Sequence, residues 1–291
     1  MSMQFVYTQQ DFVTDLCRNS GNNSATRSLS TKFDATIRAG WADRMARRLF
    51  RYQLGDLQTR ILQGPHGYVA QLNIQRGIER RKPQEIVLTR FAIQVGIEAV
   101  LLSSDPAFRM GFNSLGAFAS VNHLHLHGYY LDHALKIESK PAKPLCPEKG
   151  FYRMLDFPAG FLFYAESEEV EKVAGAICEV TDFLVNDNIA HNLFLTRGSP
   201  PCGQMQSEQD CLLRTGVRIA VWPRISCFGA KEESAFNVAL CELAGHLPFK
   251  NKRDFEVTTE NDVISIIQRY LLPDDKFHRL EQKLTEHLMC L

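Results

Sequence analysis

The chain holds 291 residues, 45% of them hydrophobic, with Lys plus Arg and Asp plus Glu both at 33 and a formal net charge of zero. That is enough apolar material for one large core or two small ones, and the balanced charge excludes a global nucleic-acid footprint or adhesion to an acidic membrane. Any anion must be held by a local site.

Residues 1–36 are expected to form a flexible N-terminal segment, with 18–31 especially polar. Residues 37–62 read as a long amphipathic helix, with Ile37, Trp41, Met45, Leu49, Tyr52 and Leu57 near helical spacing. Gly64-Pro65-His66-Gly67 breaks it, and 68–74 reads as a strand. Arg76, Arg80, Arg81 and Lys82 form a basic stretch, better explained as a solvated turn than as a phosphate contact. Residues 91–102 are a helix and 108–112 a short strand, and the loop Asn113-Ser114-Leu115-Gly116 leads to a histidine-rich strand. Three prolines (141, 144, 147) make 139–150 a connection. Strands are expected at 161–164, 189–196 and 217–222, and helices at 168–183, 262–271 and 274–291. Residues 235–247 are apolar and of undecided type. The mixture is α+β, with an antiparallel sheet favoured over a doubly wound one.

Residues 121–131 carry the chemistry: Val-Asn-His-Leu-His-Leu-His-Gly-Tyr-Tyr-Leu. Side chains in an extended strand alternate between faces, so His123, His125 and His127 share one face and Leu124, Leu126 and Gly128 the other. The leucines belong in a core. Three adjacent imidazoles do not, unless something polar lies opposite. Incidental placement on a surface edge explains one histidine better than three. Zinc fits poorly, because His123 and His127 are ~13 Å apart by strand rise and no acid lies in the segment to complete a shell. An imidazole attacking phosphorus while its neighbours contact phosphate oxygens uses the whole row. The polar loop upstream supplies amide and hydroxyl donors.

This pattern, His-φ-His-φ-His behind a small polar loop, resembles the histidine-triad superfamily of nucleotide hydrolases and transferases. The longer run at 111–131 is similar to the GDP-D-glucose phosphorylase family, relatives of the plant GDP-L-galactose phosphorylases, which carry Gln at the third triad position. Val69-Ala70-Gln71-Leu72-Asn73, Ala190-His191-Asn192-Leu193-Phe194 and 236–246 extend the likeness over most of the chain from about Tyr52. The resemblance implies a histidine-triad-like antiparallel sheet flanked by helices, one catalytic domain over 37–291 with a C-terminal α+β half from about 151. It also implies core strands missing between 84 and 92, where family members carry a longer segment.

The implied reaction is phosphorolysis of GDP-D-glucose to GDP and glucose 1-phosphate. His125 is the implied nucleophile, His123 orients the site, and His127 contacts the leaving group or a non-bridging oxygen. Asn113, Ser114, Ser120 and Asn122 are the implied substrate-binding residues. Inorganic phosphate is the co-substrate, with no other cofactor and no metal; no nucleic acid or membrane partner is implied, and a homodimer is compatible with it. A hydrolase, in which water replaces phosphate, and a catalytically weak GDP-sugar binder are the alternatives. His246 could face substrate or simply fill the core. Of His191 and Asn192, one should point to the site and one away. Trp222 and Phe228 could stack on guanine but are equally suited to a core.

Eight cysteines stand at 17, 146, 178, 202, 211, 227, 241 and 290 with no Cys-x-x-Cys pair, which suits neither a zinc ribbon nor a disulfide framework. Cys178 and Cys241 read as small buried hydrophobes. Residues 1–15 lack the apolar run of a signal peptide, and no stretch approaches the ~20 apolar residues that span a bilayer. The expected compartment is the cytoplasm.

Overall fold

The structure is a computed structural model and describes residues 6–14, 16–17, 30–47, 58–72, 87–119, 123–201, 213–228 and 235–290. In chain order the elements are β1 (Leu16–Cys17), α1 (Lys32–Ala46), β2 (Gln58–Ile61), β3 (Val69–Leu72), α2 (Arg90–Leu102), β4 (Phe108–Asn113), β5 (His127–Tyr130), β6 (Ala142–Cys146), β7 (Phe151–Met154), β8 (Phe161–Ala165), α3 (Val170–Asn186), β9 (Ala190–Gly198), β10 (Leu213–Arg214), β11 (Gly216–Arg224), α4 (Leu240–Leu243), β12 (His246–Phe249), α5 (Lys252–Val257), α6 (Glu260–Gln268) and α7 (Asp274–Met289).

Seven strands form one antiparallel sheet in the order β5-β4-β9-β11-β8-β7-β6. β9 and β11 lie at its middle and are buried along their whole length because both faces are covered, so the polar residues they carry, among them Asn192, Arg197, Arg218 and Arg224, are buried with partners. One face carries Phe112, Leu193, Leu195, Ile219, Val221 and Phe163, packed under α2, α3 and α7. The other carries Phe194, Ala220, Trp222 and Leu162, covered by a small sheet of order β12-β3-β2 with α4 and α6. The molecule is therefore layered helix, sheet, and small sheet with helices, the α+β antiparallel architecture expected.

Helix ends follow ordinary capping rules. Thr89 accepts from the Ala92 amide at the start of α2, and Thr259 with Asp262 forms a capping box at α6.

Several boundaries differ from those expected. The helix expected over 37–62 ends at Ala46, and Gln58–Ile61 form β2 because they pair with β3; Tyr52 and its neighbours at 48–57 lie outside the described residues. Ile37 and Trp41 are more than a third exposed, and the one buried side chain of α1 is Asp34. That carboxylate accepts from Ser103 Oγ (2.6 Å) and from the amide and hydroxyl of Ser104, so 30–36 is part of the folded body and not of a free tail. The N-terminal stretch is also tied down, since the Val13 amide donates to the Leu101 carbonyl and β1 pairs with β10.

The connection at 139–150 contains β6, an edge strand in which Pro144 costs no ladder bond to a second neighbour. A half beginning at 151 would split the β6–β7 hairpin. The strand β7 and the short α5 were not anticipated, and the basic stretch 75–83 lies outside the described residues. Among the described residues no helix is long and apolar enough to cross a membrane.

A buried ion cluster ties β10 and the turn at 136–138 to β4 of the large sheet. Glu138 is fully buried between Arg109 on β4 and Arg214 on β10, the latter at 2.5 Å. Burial pulls the Arg109 guanidinium pKa below its ordinary value, and Glu138 opposes the shift. Replacing Glu138 with Gln leaves two buried guanidinium groups facing a neutral amide, which should cost about 3–5 kcal/mol. Urea denaturation of the variant checks this, and unchanged stability would contradict the role given to the cluster.

Candidate active site

The histidine row begins outside the sheet ladder. His127 pairs with Gly111 on β4, whereas 124–126 make no ladder bonds. The alternation nevertheless holds. Leu126 packs into the helix-side core, 3.5 Å from where a Cβ on Gly96 of α2 would stand, although Leu124 is about a third exposed. His127 shares the opposite face with Gly111, Phe194 and Ala220 through the register of β5, β4, β9 and β11. Ring centroids of His123 and His125 are 5.2 Å apart, and those of His125 and His127 4.8 Å. Three imidazoles stand side by side.

One hydrogen bond gives the middle ring its chemical sense. His125 Nδ1 lies 2.8 Å from the His123 carbonyl oxygen, an acceptor only. Nδ1 must therefore carry the proton, which leaves the lone pair on Nε2. Burial, and next the neighbouring His125, push the His127 pKa down to about 4, so this ring is neutral around pH 7. Its Nε2 is buried and has no hydrogen-bond partner among the described residues. The row thus offers a nucleophilic nitrogen beside a neutral imidazole whose ring nitrogen is unspent.

The loop before the row is held by polar atoms from three strands. Asn113 Oδ1 accepts from Asn192 Nδ2 (2.6 Å) on β9 and from the Leu240 amide (3.1 Å) at the start of α4. Asn192 Nδ2 also donates to the Ala117 carbonyl (2.9 Å), and Arg224 Nη1 on β11 donates to Asn192 Oδ1 (3.2 Å) and to the Val238 carbonyl. Ser114 Oγ accepts from the His191 amide (2.8 Å), while the Ser114 amide donates to the His191 carbonyl (3.0 Å).

Gly111 makes the close approach possible. A Cβ there would stand 2.8 Å from both the Leu193 carbonyl and the Leu240 side chain. Phe118, at φ +64°, adopts a left-handed conformation costly for an aromatic residue, of order 1–3 kcal/mol. The Arg224 guanidinium lies 5.0 Å from both the Phe118 and Tyr270 ring centroids and clamps it there.

Of the residues expected to bind substrate, Asn113 and Ser114 reach the site's loop, but their side-chain oxygens are engaged with β9 and α4. They position the loop. Ser120 and Asn122 lie outside the described residues. His191 and Asn192 divide as expected: Asn192 joins the loop network, and the His191 ring stands 6.1 Å from Phe112 on the helix side. Trp222 is fully buried and three strands from β5, so it is no guanine platform for the row. Phe228 is 71% exposed and sits against the loop, 3.0 Å from where a Cβ on Gly116 would stand. His246 is buried in β12.

Arg224 and Phe118 were not anticipated. An arginine closing the apolar run of β11 was the one available signal, since a charge buried at a strand end needs specific partners. Among the described residues no group of three or more His, Cys, Asp and Glu side chains is arranged to hold a metal ion.

Burial lowers the pKa of His127, His191 and His246 to about 4 each. Between about pH 6.5 and 4 the unfolded chain therefore binds protons that the folded chain refuses, and stability rises with pH across that window. Each histidine contributes a slope of at most about 1.4 kcal/mol per pH unit. Stability measured by denaturant from pH 7 to 4.5 should fall steeply, and His191→Gln should flatten the curve; a slope unaltered by that change would contradict the assignment.

Comparison with known proteins places these features. The N-terminal domain model of the GDPGP1-like family matches residues 32–87 and 83–129, and the C-terminal domain model matches 137–291. GDP-D-glucose phosphorylase 1 of Danio rerio is 50% identical, covering 99% of this chain and 98% of its own. The Homo sapiens protein of that name is 39% identical, covering 92% and 88%. GDP-L-galactose phosphorylase 1 of Arabidopsis thaliana is 21% identical over 88% and 74%. The crystal structure of yeast Ap4A phosphorylase Apa2 superposes with a TM-score of 0.53 at 12% identity, covering 84% of this chain and 95% of that one, which shows a shared fold. The alignment with the Danio rerio protein spans 348 positions against a chain of 291, so at least 57 of them have no counterpart here. The two segments of the N-terminal match meet at 83–87, which is where the sequence suggested a shortening.

Proposed function

From a chain that belongs to the GDPGP1-like family, we propose phosphorolysis of GDP-D-glucose to GDP and glucose 1-phosphate, carried through a guanylylated His125. The observation that supports it most directly is the hydrogen bond from His125 Nδ1 to the His123 carbonyl, which leaves Nε2 as the attacking atom. In the first step His125 Nε2 forms a bond to the α-phosphorus as the bond to the glucose 1-phosphate oxygen breaks. In the second, an oxygen of inorganic phosphate attacks the same phosphorus, the P–N bond breaks, and GDP leaves with His125 restored.

His127, neutral and with Nε2 unspent, lies where it can meet an oxygen of the leaving group or of the α-phosphate. His123 fixes the middle ring through its carbonyl. Asn113 and Ser114 hold the loop, leaving backbone amides and the neighbouring Ser120 and Asn122 as the phosphate contacts. Phe228, exposed and set against the loop, is an aromatic surface available to guanine. Inorganic phosphate is the co-substrate, and the row needs no metal for this chemistry.

A homodimer is the assembly proposed, because β5 pairs with β4 on one side alone among the described residues and presents a strand edge. The cytoplasm is the proposed compartment, supported by free thiols at Cys146, Cys178, Cys227, Cys241 and Cys290.

The shortening by at least 57 positions favours a second reading, a GDP-sugar binder of weak activity. A histidine-triad hydrolase would release GMP instead of GDP. Purified protein incubated with GDP-D-glucose, with and without phosphate, separates the three by chromatography of the nucleotides. Phosphate-dependent GDP is expected; GMP without phosphate indicates the hydrolase, and a cooperative melt without turnover indicates the binder. His125→Asn should lose activity by a factor on the order of 10⁴ or more, and near-normal turnover in that variant would remove the mechanism. His127→Gln should be milder, in line with the Gln at this position that the resemblance attributes to the plant enzymes.

A further inference from the structure

Gly111 on β4 stands directly opposite His127 in the ladder and has no side chain to set against it. The gap is filled from α4. A Cβ on Gly111 would stand 2.8 Å from Leu240 Cδ1 and 3.2 Å from its Cδ2. Directly opposed Cβ positions in an antiparallel pair are about 5 Å apart, so the Leu240 methyl groups lie beside the root of the His127 ring.

Leu240 is held in that place. It is 2% exposed, and its amide donates to Asn113 Oδ1 (3.1 Å) at the end of β4. The next residue, Cys241, sets its thiol against the buried Tyr129 hydroxyl, two residues along β5 from His127. The short helix α4 therefore docks on both strands next to the row, and Leu240 is its apolar contact there.

His127 is partly exposed as a residue, yet its Nε2 is buried with no hydrogen-bond partner among the described residues. An imidazole enclosed in this way resists a proton, because the charge it would gain has nothing to solvate it. The titratable groups around it are few. Its own strand brings His125, 4.8 Å away between ring centroids, and Tyr129. β4 brings Arg109, committed to Glu138, and α4 brings Cys241 and Glu242, whose carboxylate accepts from the Ala239 amide (3.0 Å). β9 presents Phe194 opposite Gly111. Burial outweighs His125 in lowering the His127 pKa, so the wall around the ring governs its charge more than its neighbours do.

We propose that Leu240 is a positioning residue for the third histidine, its side chain filling the place left open at Gly111 and keeping water from the His127 ring. The consequence for catalysis rests on the proposed reaction: with Leu240 in place, no second cation forms beside the attacking His125.

NMR of the ring Cε1–Hε1 signals follows each histidine through its titration, and His127 is the signal lost in His127→Gln. In the parent this signal should hold its position on acidification to about pH 5, since the pKa is about 4. Leu240→Ser, which offers a hydroxyl and room for water, should raise the midpoint by about one pH unit or more, and Leu240→Met should leave it in place. Leu240→Ala serves if the serine variant gives no cooperative melt. The acid limb of the pH–rate profile for GDP release should move upward with the midpoint, whereas a general loss of packing lowers activity at every pH alike. A folded Leu240→Ser or Leu240→Ala with the parent's His127 midpoint would overturn the proposal, as would an equal rise in Leu240→Met. The NMR titration needs no turnover, so a chain without phosphorolysis still decides the role of Leu240, and failure of the one reading is distinct from failure of the other.

Discussion

The arrangement of the histidines depends on a chain of hydrogen bonds buried beneath them: Arg224 to Asn192, Asn192 to Asn113, and the Leu240 amide to Asn113. Asn192 is fully buried and Asn113 nearly so. In a low-dielectric interior such groups are costly unpaired and strongly held when paired, so the network admits few alternatives. It joins β4, β9 and β11 to the start of α4, and its last members fix where the loop at 113–118 leaves the sheet. Only after that loop does the chain turn into the row. The proposed attack of His125 on phosphorus needs this kind of support, because misplacement of a catalytic group loses rate steeply.

The network also explains how the layers cooperate. Asn192 reaches the loop on one face of β9 while His191, its neighbour, reaches Phe112 on the other. The period of two along β9 therefore connects the loop before the histidine row to the helix-side core through consecutive residues. Arg224 adds a cation held between Phe118 and Tyr270, and the left-handed turn at Phe118 is stabilised by contacts that reach back to the end of α6. Burial lowers the Arg224 pKa to about 10, still well above neutrality, so the clamp stays charged.

What the sequence made legible was governed by short-range periodicity. Alternation alone placed the three imidazoles on one face and Leu126 in the core, and the apolar periodicity of α2, α3 and α7 survived into the fold. Failures came where tertiary pairing outweighs local pattern. Gln58–Ile61 continue a helical spacing in sequence, yet their backbone groups are claimed by β3. Residues 142–146 contain a proline and still form a strand, because an edge position tolerates it. Asn113 and Ser114 are chemically suited to phosphate, but which partner a buried amide or hydroxyl meets is decided by residues 77 to 127 positions away. No local reading supplies that.

The shortening acts on the surroundings of the row and spares its foundation. The family match is interrupted at 83–87, between β3, whose Val69 and Ala70 belong to the core under the small sheet, and α2, whose Ile93 and Ile97 belong to the core under the helices. Both flanking elements keep their partners, and the polar network lies entirely in β4, β9, β11 and α4. The side of β5 away from β4 meets no described strand. Orientation of His125 depends on the His123 carbonyl, so the proposed nucleophile keeps its tautomer whatever stands beside that edge. Exclusion of water and grip on the nucleotide depend on walls around the row. A phosphorylase needs both, since a guanylylated histidine open to solvent is drawn toward hydrolysis. In the proposed reaction the cost of the shortening should therefore fall on substrate affinity and on the ratio of GDP to GMP, and least on formation of the P–N bond.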